Sequence, residues 1–128
     1  MKFLLDTHVL LWWTLDDPRL PASVRTVLTD PANDLLLSAA SGWEIAIKTA
    51  LGKLEIEGSP EEFLSHKLPA NDIIELPVSM AHVVRVFHLP MHHKDPFDRL
   101  LIAQAQVEAL TILSDDAKLR LYPVTVSW

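Results

Sequence analysis

The chain contains no cysteine, so disulfides, thiolate zinc sites and cysteine nucleophiles are excluded. It has no continuous apolar run long enough to span a bilayer. Its opening, Met1-Lys2-Phe3-Leu4-Leu5-Asp6, meets a charge too soon for a secretory signal. These absences together set the expectation of a cytoplasmic protein with no membrane association. Basic charge is also short. Lys and Arg number 11 against 17 Asp and Glu, a formal net charge of −6, whereas a protein that simply coats nucleic acid is normally basic. A nuclease is not excluded by this balance, because a metal-centred site gathers acidic residues and the substrate's phosphates then meet the metal.

What is present is a globular composition: 49% of residues are hydrophobic and 22% charged, which sets disorder aside. A length of 128 residues suits one domain with one core, spanning residues 1–128. There is no internal repeat, low-complexity tract or long linker. Short apolar runs at residues 2–5, 35–37, 73–76 and 111–114 read as buried strands, and 124–126 as an edge strand. Helix signals fall between them. Pro21 suits the first position of a helix over 22–28. Ser41 opens a helix that Gly52 ends. Ser59-Pro60-Glu61-Glu62 starts another. Ser79 caps a helix over 80–87, residues 89–94 form a loop, and Asp95-Pro96 starts a long helix through Ala109. A short helix covers 116–121. Strands alternating with helices predict an α/β fold, with a mostly parallel sheet covered on both faces.

Four acids sit at the switches between strand and helix: Asp6, Glu44, Asp98 and Asp116. In a parallel α/β fold such switches gather along the carboxyl edge of the sheet. Each acid also has a local reading. Asp6 follows a strand and could cap the next helix. Glu44 lies three residues after Ser41, a capping-box spacing that would tie it to a backbone amide. Asp98 falls in the first turn of its helix, where the macrodipole favours it by about 0.3–1 kcal/mol, but Asp95 already serves as the cap. Of Asp115 and Asp116, one caps the short helix and the other is free to enter a site. Four converging carboxylates repel one another and resist joint ionisation. A hard divalent cation, Mg²⁺ or Mn²⁺, relieves that conflict, and such oxygen-ligand sites commonly serve phosphate chemistry.

The strings around these acids carry a family resemblance. They are Leu4-Leu5-Asp6-Thr7-His8 with Leu10-Leu11-Trp12, then Ser41-Gly42-Trp43-Glu44-Ile45-Ala46-Ile47-Lys48 with Gly52-Lys53-Leu54. His92-His93-Lys94-Asp95-Pro96-Phe97-Asp98-Arg99 runs on through Leu100-Leu101-Ile102-Ala103-Gln104-Ala105, and Leu113-Ser114-Asp115-Asp116 closes the series. In this order, over nearly the full length, the chain resembles the PIN-domain ribonucleases, and most closely the VapC-type toxins of bacterial type II toxin–antitoxin pairs. The resemblance implies a PIN-like three-layer α/β/α sandwich with four to five strands. It implies an endoribonuclease that hydrolyses RNA phosphodiester bonds with a metal-activated water, using Mg²⁺ with Mn²⁺ as a substitute. It places the family's acids at Asp6, Glu44, Asp98 and Asp116, as catalytic residues and metal ligands. Asp6 and Asp98 are the expected direct ligands; Glu44 and Asp116 bind a second ion or orient water. The last motif departs from the family pattern, with Ser114 in place of Thr and Asp115 in the variable position, so Asp115 is the alternative to Asp116. The implied partners are RNA and a small VapB-like antitoxin, with a homodimer expected from the apolar surface.

Neighbouring residues admit two readings each. Thr7 and Ser114 either hydrogen-bond the acids or cap backbone. Lys48 forms an i,i+4 pair with Glu44 or contacts phosphate. Arg99 contacts phosphate or lies on solvated helix surface. Of six histidines, His88 and His92 have i,i+4 spacing with Pro90 between them, so no zinc site is expected, and His92-His93 is a loop feature. The four tryptophans are expected chiefly in the core. Three other functions compete. A Mg²⁺-dependent small-molecule phosphatase of the haloacid-dehalogenase type would carry a second Asp two residues after the first, where His8 stands. A phospho-acceptor domain would need a lysine after the late strand, and none is there. A non-catalytic PIN-like interaction module would not need all four acids.

Overall fold

The computed structural model describes residues Met1–Trp128. Five strands form a single, wholly parallel sheet: β1 (Lys2–Leu5), β2 (Asp34–Ser38), β3 (Ile73–Leu76), β4 (Thr111–Leu113) and β5 (Val126–Ser127). Their spatial order is β3-β2-β1-β4-β5. The helices are α1 (Thr7–Thr14), α2 (Ala22–Thr29), α3 (Ala39–Ala50), α4 (Pro60–Ala70), α5 (Met80–Arg85) and α6 (Pro96–Glu108). Single 3₁₀ segments cover Val86–His88 and Ala117–Leu121. No helix is long and apolar enough to cross a membrane.

Strand alternation divides the core into two layers. Phe3 and Leu5 of β1, Leu35 and Leu37 of β2, and Leu113 of β4 face one side. There they bury Val9 and Leu10 of α1, Val24 and Leu28 of α2, and Ile45 of α3. Leu4 and Ile112 face the other side, against Leu101, Ile102 and Ala105 of α6, with Leu119 and Tyr122. This is the three-layer α/β/α arrangement expected, with five strands. The order has a consequence for function. From β1 the chain moves outward to β2 and β3, then returns to the opposite flank as β4. The direction of strand addition therefore reverses between β1 and β4, and a crevice opens beyond their carboxyl ends.

Several local expectations change. Pro21 precedes α2 in extended backbone rather than opening it (φ −66°, ψ 153°). Ser38, not Ser41, caps α3, its hydroxyl accepting from the Ala40 amide at 3.0 Å. The helix after Ser79 tightens to 3₁₀ geometry at Val86, and the last strand shifts to Val126–Ser127. The capping box at Ser59 and Glu62 forms as expected. Gly52 ends α3 at φ +71°, where the Lys53 amide reaches back to the Lys48 carbonyl.

Candidate active site

Asp6, Glu44, Asp98 and Asp116 come from four separate segments and line one cleft of about 210 Å³, together with Thr7, His8, Lys48 and Asp95. It lies at the reversal of the sheet. Asp6 directly follows β1, Asp116 follows β4, Glu44 sits in the second turn of α3, and Asp98 is in the first turn of α6.

Asp6 is buried and held from two sides. The Thr7 amide donates to Oδ1 at 2.8 Å, and the Ser114 hydroxyl donates to Oδ2 at 2.7 Å. The same Ser114 oxygen accepts from the Asp116 amide at 3.0 Å. One fully buried hydroxyl thus links the ends of the two central strands, and it acts directly on an acid as one of its two readings had it. Thr7 does otherwise. Its hydroxyl donates to Ser41 Oγ at 2.9 Å, both residues being buried. Ser41 is therefore a strut between α1 and α3, not a helix cap. That removes the capping-box explanation of Glu44, whose carboxylate instead pairs with Lys48 Nζ at 2.8 Å.

Asp98 is positioned by its helix start. Asp95 Oδ1 accepts from the amides of Phe97 and Asp98 at 2.9 and 3.2 Å, which leaves the Asp98 carboxylate free to face the cleft. There it meets His93, with Nε2 and Oδ2 2.7 Å apart. His93 was expected only as loop. Its placement depends on Arg99, which lies neither in solvent nor at the cleft. Arg99 is 8% exposed and donates to the carbonyls of Pro90 at 2.8 Å and Val86 at 3.2 Å, and to the Tyr122 hydroxyl at 3.2 Å. Tyr122 in turn accepts from the His92 amide at 3.2 Å. Arg99 thereby pins the loop that carries His93 against Asp98.

The two aspartates at the end of β4 divide their roles differently from expectation. Asp116 both caps the 3₁₀ segment, accepting from the Lys118 amide at 2.9 Å, and lines the cleft. Asp115 turns away to His8 Nε2 at 2.6 Å. His8 Nδ1 lies 3.5 Å from Asp6. Sequence alone gives neither His8 nor His93 a role at the site. The usable signal was their position, His8 two residues after Asp6 and His93 two before Asp95.

Charge is unbalanced here. Five carboxylates line the cleft, from Asp6, Glu44, Asp95, Asp98 and Asp116, against one Lys or Arg, Lys48. Burial raises the Asp6 pKa; His8, Ser114 and the Thr7 amide oppose this, and Glu44 adds to it. Asp98 is pushed up to about 6, chiefly by burial and then by Asp6 and Asp95, with His93 opposing. The Lys48 pKa is raised, first by its hydrogen bond to Glu44. The cleft thus leaves ionised Asp6 and Asp98 short of positive charge. The tightest convergence joins His93, Asp98 and Asp116, one ligand atom of each lying within 4.8 Å of the others. Asp6 and Glu44 border the same cleft outside that triad. Carboxylate oxygens with excess negative charge, beside one histidine nitrogen, fit a hard divalent cation.

An open parallel sheet with acids gathered at its reversal point defines an α/β domain with a candidate acidic metal site. The PIN domain family model matches residues 3–124, and the chain belongs to that family. It is 38% identical over 69 residues to Ribonuclease VapC16 of Mycobacterium tuberculosis, a match covering 51% of this chain and 49% of that relative. The chain thus spans about half the length of that curated relative. Two solved structures share the fold. VapBC2 from Rickettsia felis, bound to a DNA fragment from their promoter, superposes with a TM-score of 0.72 at 15% identity, covering 99% of this chain and 98% of that one. A toxin-antitoxin complex from Klebsiella pneumoniae gives 0.63 at 16% identity, covering 98% and 95%.

Proposed function

We propose that this protein is a metal-dependent endoribonuclease toxin that hydrolyses RNA phosphodiester bonds and is restrained by a small cognate antitoxin in the cytoplasm. One observation carries the reading: on a PIN-family fold, four acids from four distant segments line one cleft, with Lys48 as the single lysine or arginine set against them. The relative named a ribonuclease, matched over about half of its length, and the toxin-antitoxin complex of the same fold support it.

The chain's own groups suggest a division of labour. Asp6 and Asp98 would hold Mg²⁺, or Mn²⁺ in its place. The Ser114 hydroxyl and Thr7 amide keep the Asp6 oxygens aimed into the cleft. His93 does the same for Asp98. Glu44 and Asp116 would hold a second ion or orient the attacking water. The bound cation supplies charge neutralisation at the phosphoryl oxygens and makes water a better nucleophile. Lys48 limits repulsion between Glu44 and the other acids. Because water attacks, the products carry a 5′-phosphate and a 3′-hydroxyl, and selection of RNA falls to the shape around the cleft rather than to the ribose 2′-hydroxyl.

The antitoxin reading rests on charge complementarity, since a cationic side chain would find partners among the carboxylates. The homodimer reading rests on an apolar surface around α5, where Phe87 is 86% and Met80 75% exposed.

The test is cleavage of a mixed structured-RNA pool by purified protein with Mg²⁺, Mn²⁺ or EDTA, beside Asp6→Asn and Asp98→Asn. Metal-dependent cleavage lost in both variants is expected. Equal cleavage by the variants would place the chemistry elsewhere. Phosphatase activity on small substrates, or absence of both cleavage and metal binding, would replace the nuclease reading.

A further inference from the structure

None of the four tryptophans is buried, against the expectation that they lie chiefly in the core, and the most exposed is Trp43. It is 62% exposed on α3, immediately before Glu44. Its ring meets Phe97 edge to face, with centroids 5.2 Å apart and planes at 67°. Phe97 is half-buried and immediately precedes Asp98. The aromatic pair therefore bridges the two helices that deliver Glu44 and Asp98, beside the cleft those acids line. Trp12 offers a contrast. It is half-buried, with His8 and Trp128 against its ring and the Arg19 guanidinium 4.8 Å from its centre. Trp43 has Phe97 as its aromatic contact and leaves most of its ring in water, where a flat apolar face is open to stacking.

Charge narrows the choice of partner. The only Lys or Arg lining the cleft, Lys48, is engaged by Glu44. Phosphate contacts at the cleft are thus few, and a polyanionic strand needs another source of affinity there. Aromatic stacking on a base supplies it without sequence preference. Only an unpaired base exposes a face to an aromatic ring in this way.

We propose that Trp43, buttressed by Phe97, is a stacking platform for an unpaired nucleobase of the RNA strand entering the cleft. This rests on the ribonuclease reading. Phe97 acts as a positioning residue, holding the indole at the rim.

The test uses a fluorescein-labelled, random-sequence, single-stranded RNA dodecamer pool, with Ca²⁺ replacing Mg²⁺ to slow cleavage. Affinity is read by fluorescence anisotropy for wild type, Trp43→Ala and Trp43→Phe. Trp43→Ala is expected to bind at least about fivefold more weakly, and Trp43→Phe to recover most of the loss. Duplex RNA of the same length is expected to show no dependence on Trp43. In parallel, a pool carrying 5-iodouracil is irradiated on the wild-type protein, and crosslinks are expected at Trp43. This arm stands even where the alanine variant fails to fold. A wild-type protein that cleaves RNA with Mg²⁺, while Trp43→Ala binds the pool equally well or crosslinks avoid Trp43, overturns the platform alone. A wild-type protein that neither binds nor cleaves overturns the platform and the ribonuclease reading together. Unchanged RNA binding with lost self-association or antitoxin binding would reassign Trp43 to a protein interface.

Discussion

Asp98 and Arg99 are neighbours on α6, and both carry charge into partly or fully buried surroundings, yet their situations are opposite. Arg99 is enclosed by acceptors: the carbonyls of Pro90 and Val86 and the Tyr122 hydroxyl. Asp98 is enclosed by carboxylates, with His93 as its one compensating contact, and its pKa is driven up to about 6. A buried charge whose partners all come from the protein serves the fold. A buried charge crowded by its own sign is stable only when something from outside joins it, and that marks a site. The two are also coupled, because Arg99 holds the loop that brings His93 to Asp98.

The largest expected effect sharpens this contrast. Asp6→Asn and Asp98→Asn should each lower RNA cleavage by at least about 10²–10³-fold, the scale of losing one preorganised electrostatic group. Without metal, Asp98→Asn should melt no lower than wild type, because it removes repulsion, whereas Asp6→Asn also gives up one of the two acceptors that Thr7 and Ser114 use; calorimetry beside a cleavage assay reads both. Arg99→Ala should do the reverse. Stripping the Pro90, Val86 and Tyr122 oxygens of their donor should cost on the order of 3 kcal/mol of stability in urea unfolding. Loss of activity should follow as the His93 loop loosens.

Ser114→Ala should weaken metal binding by about 10–100-fold, since Ser114 orients Asp6 and the Asp116 amide together, while Ser114→Thr should retain most affinity. Titration calorimetry with Mn²⁺ reads this without reference to activity.

The pH dependence of stability tests Asp98 directly. Its folded-state pKa of about 6 lies above the ordinary 3.8, so the folded state binds the proton more tightly than the unfolded one. Stability of the metal-free protein should therefore rise as pH falls through about 6, with the gain complete below 3.8. Asp98→Asn should lack this component, and saturating metal should suppress it. A wild-type melting profile parallel to that of Asp98→Asn from pH 7 to 4 would contradict this assignment. The smallest effect belongs to Lys48→Met. The Lys48 side chain is about half exposed, and its i,i+4 pair with Glu44 is worth about 0.3–0.5 kcal/mol, visible in thermal melts at low salt and fading as salt is added.

Legibility in sequence followed the range of the interaction. Asp95-Pro96-Phe97-Asp98 could be read because a cap and a first-position proline are settled within one turn. The strands could be read from apolar runs alone. Ser41 reads as the helix start in sequence, although Ser38 takes the cap, because both serines stand near the start of the helix. The choice was made by Thr7, far away in sequence, which claimed the Ser41 hydroxyl. Asp115 and Asp116 were likewise separated only when His8 took Asp115.

By itself, the sequence determined the alternation of strands and helices, the burial pattern of the sheet, and the placing of Asp6, Asp98 and Asp116 near its switches, since each follows from local backbone preference and side-chain polarity; Glu44 instead falls in the second turn of α3. Only the tertiary structure decided that His93 meets Asp98, that Arg99 is an internal clamp and that Trp43 stands in water. Those outcomes depend on which distant segments supply partners, and on how burial and like charge act once they are brought together.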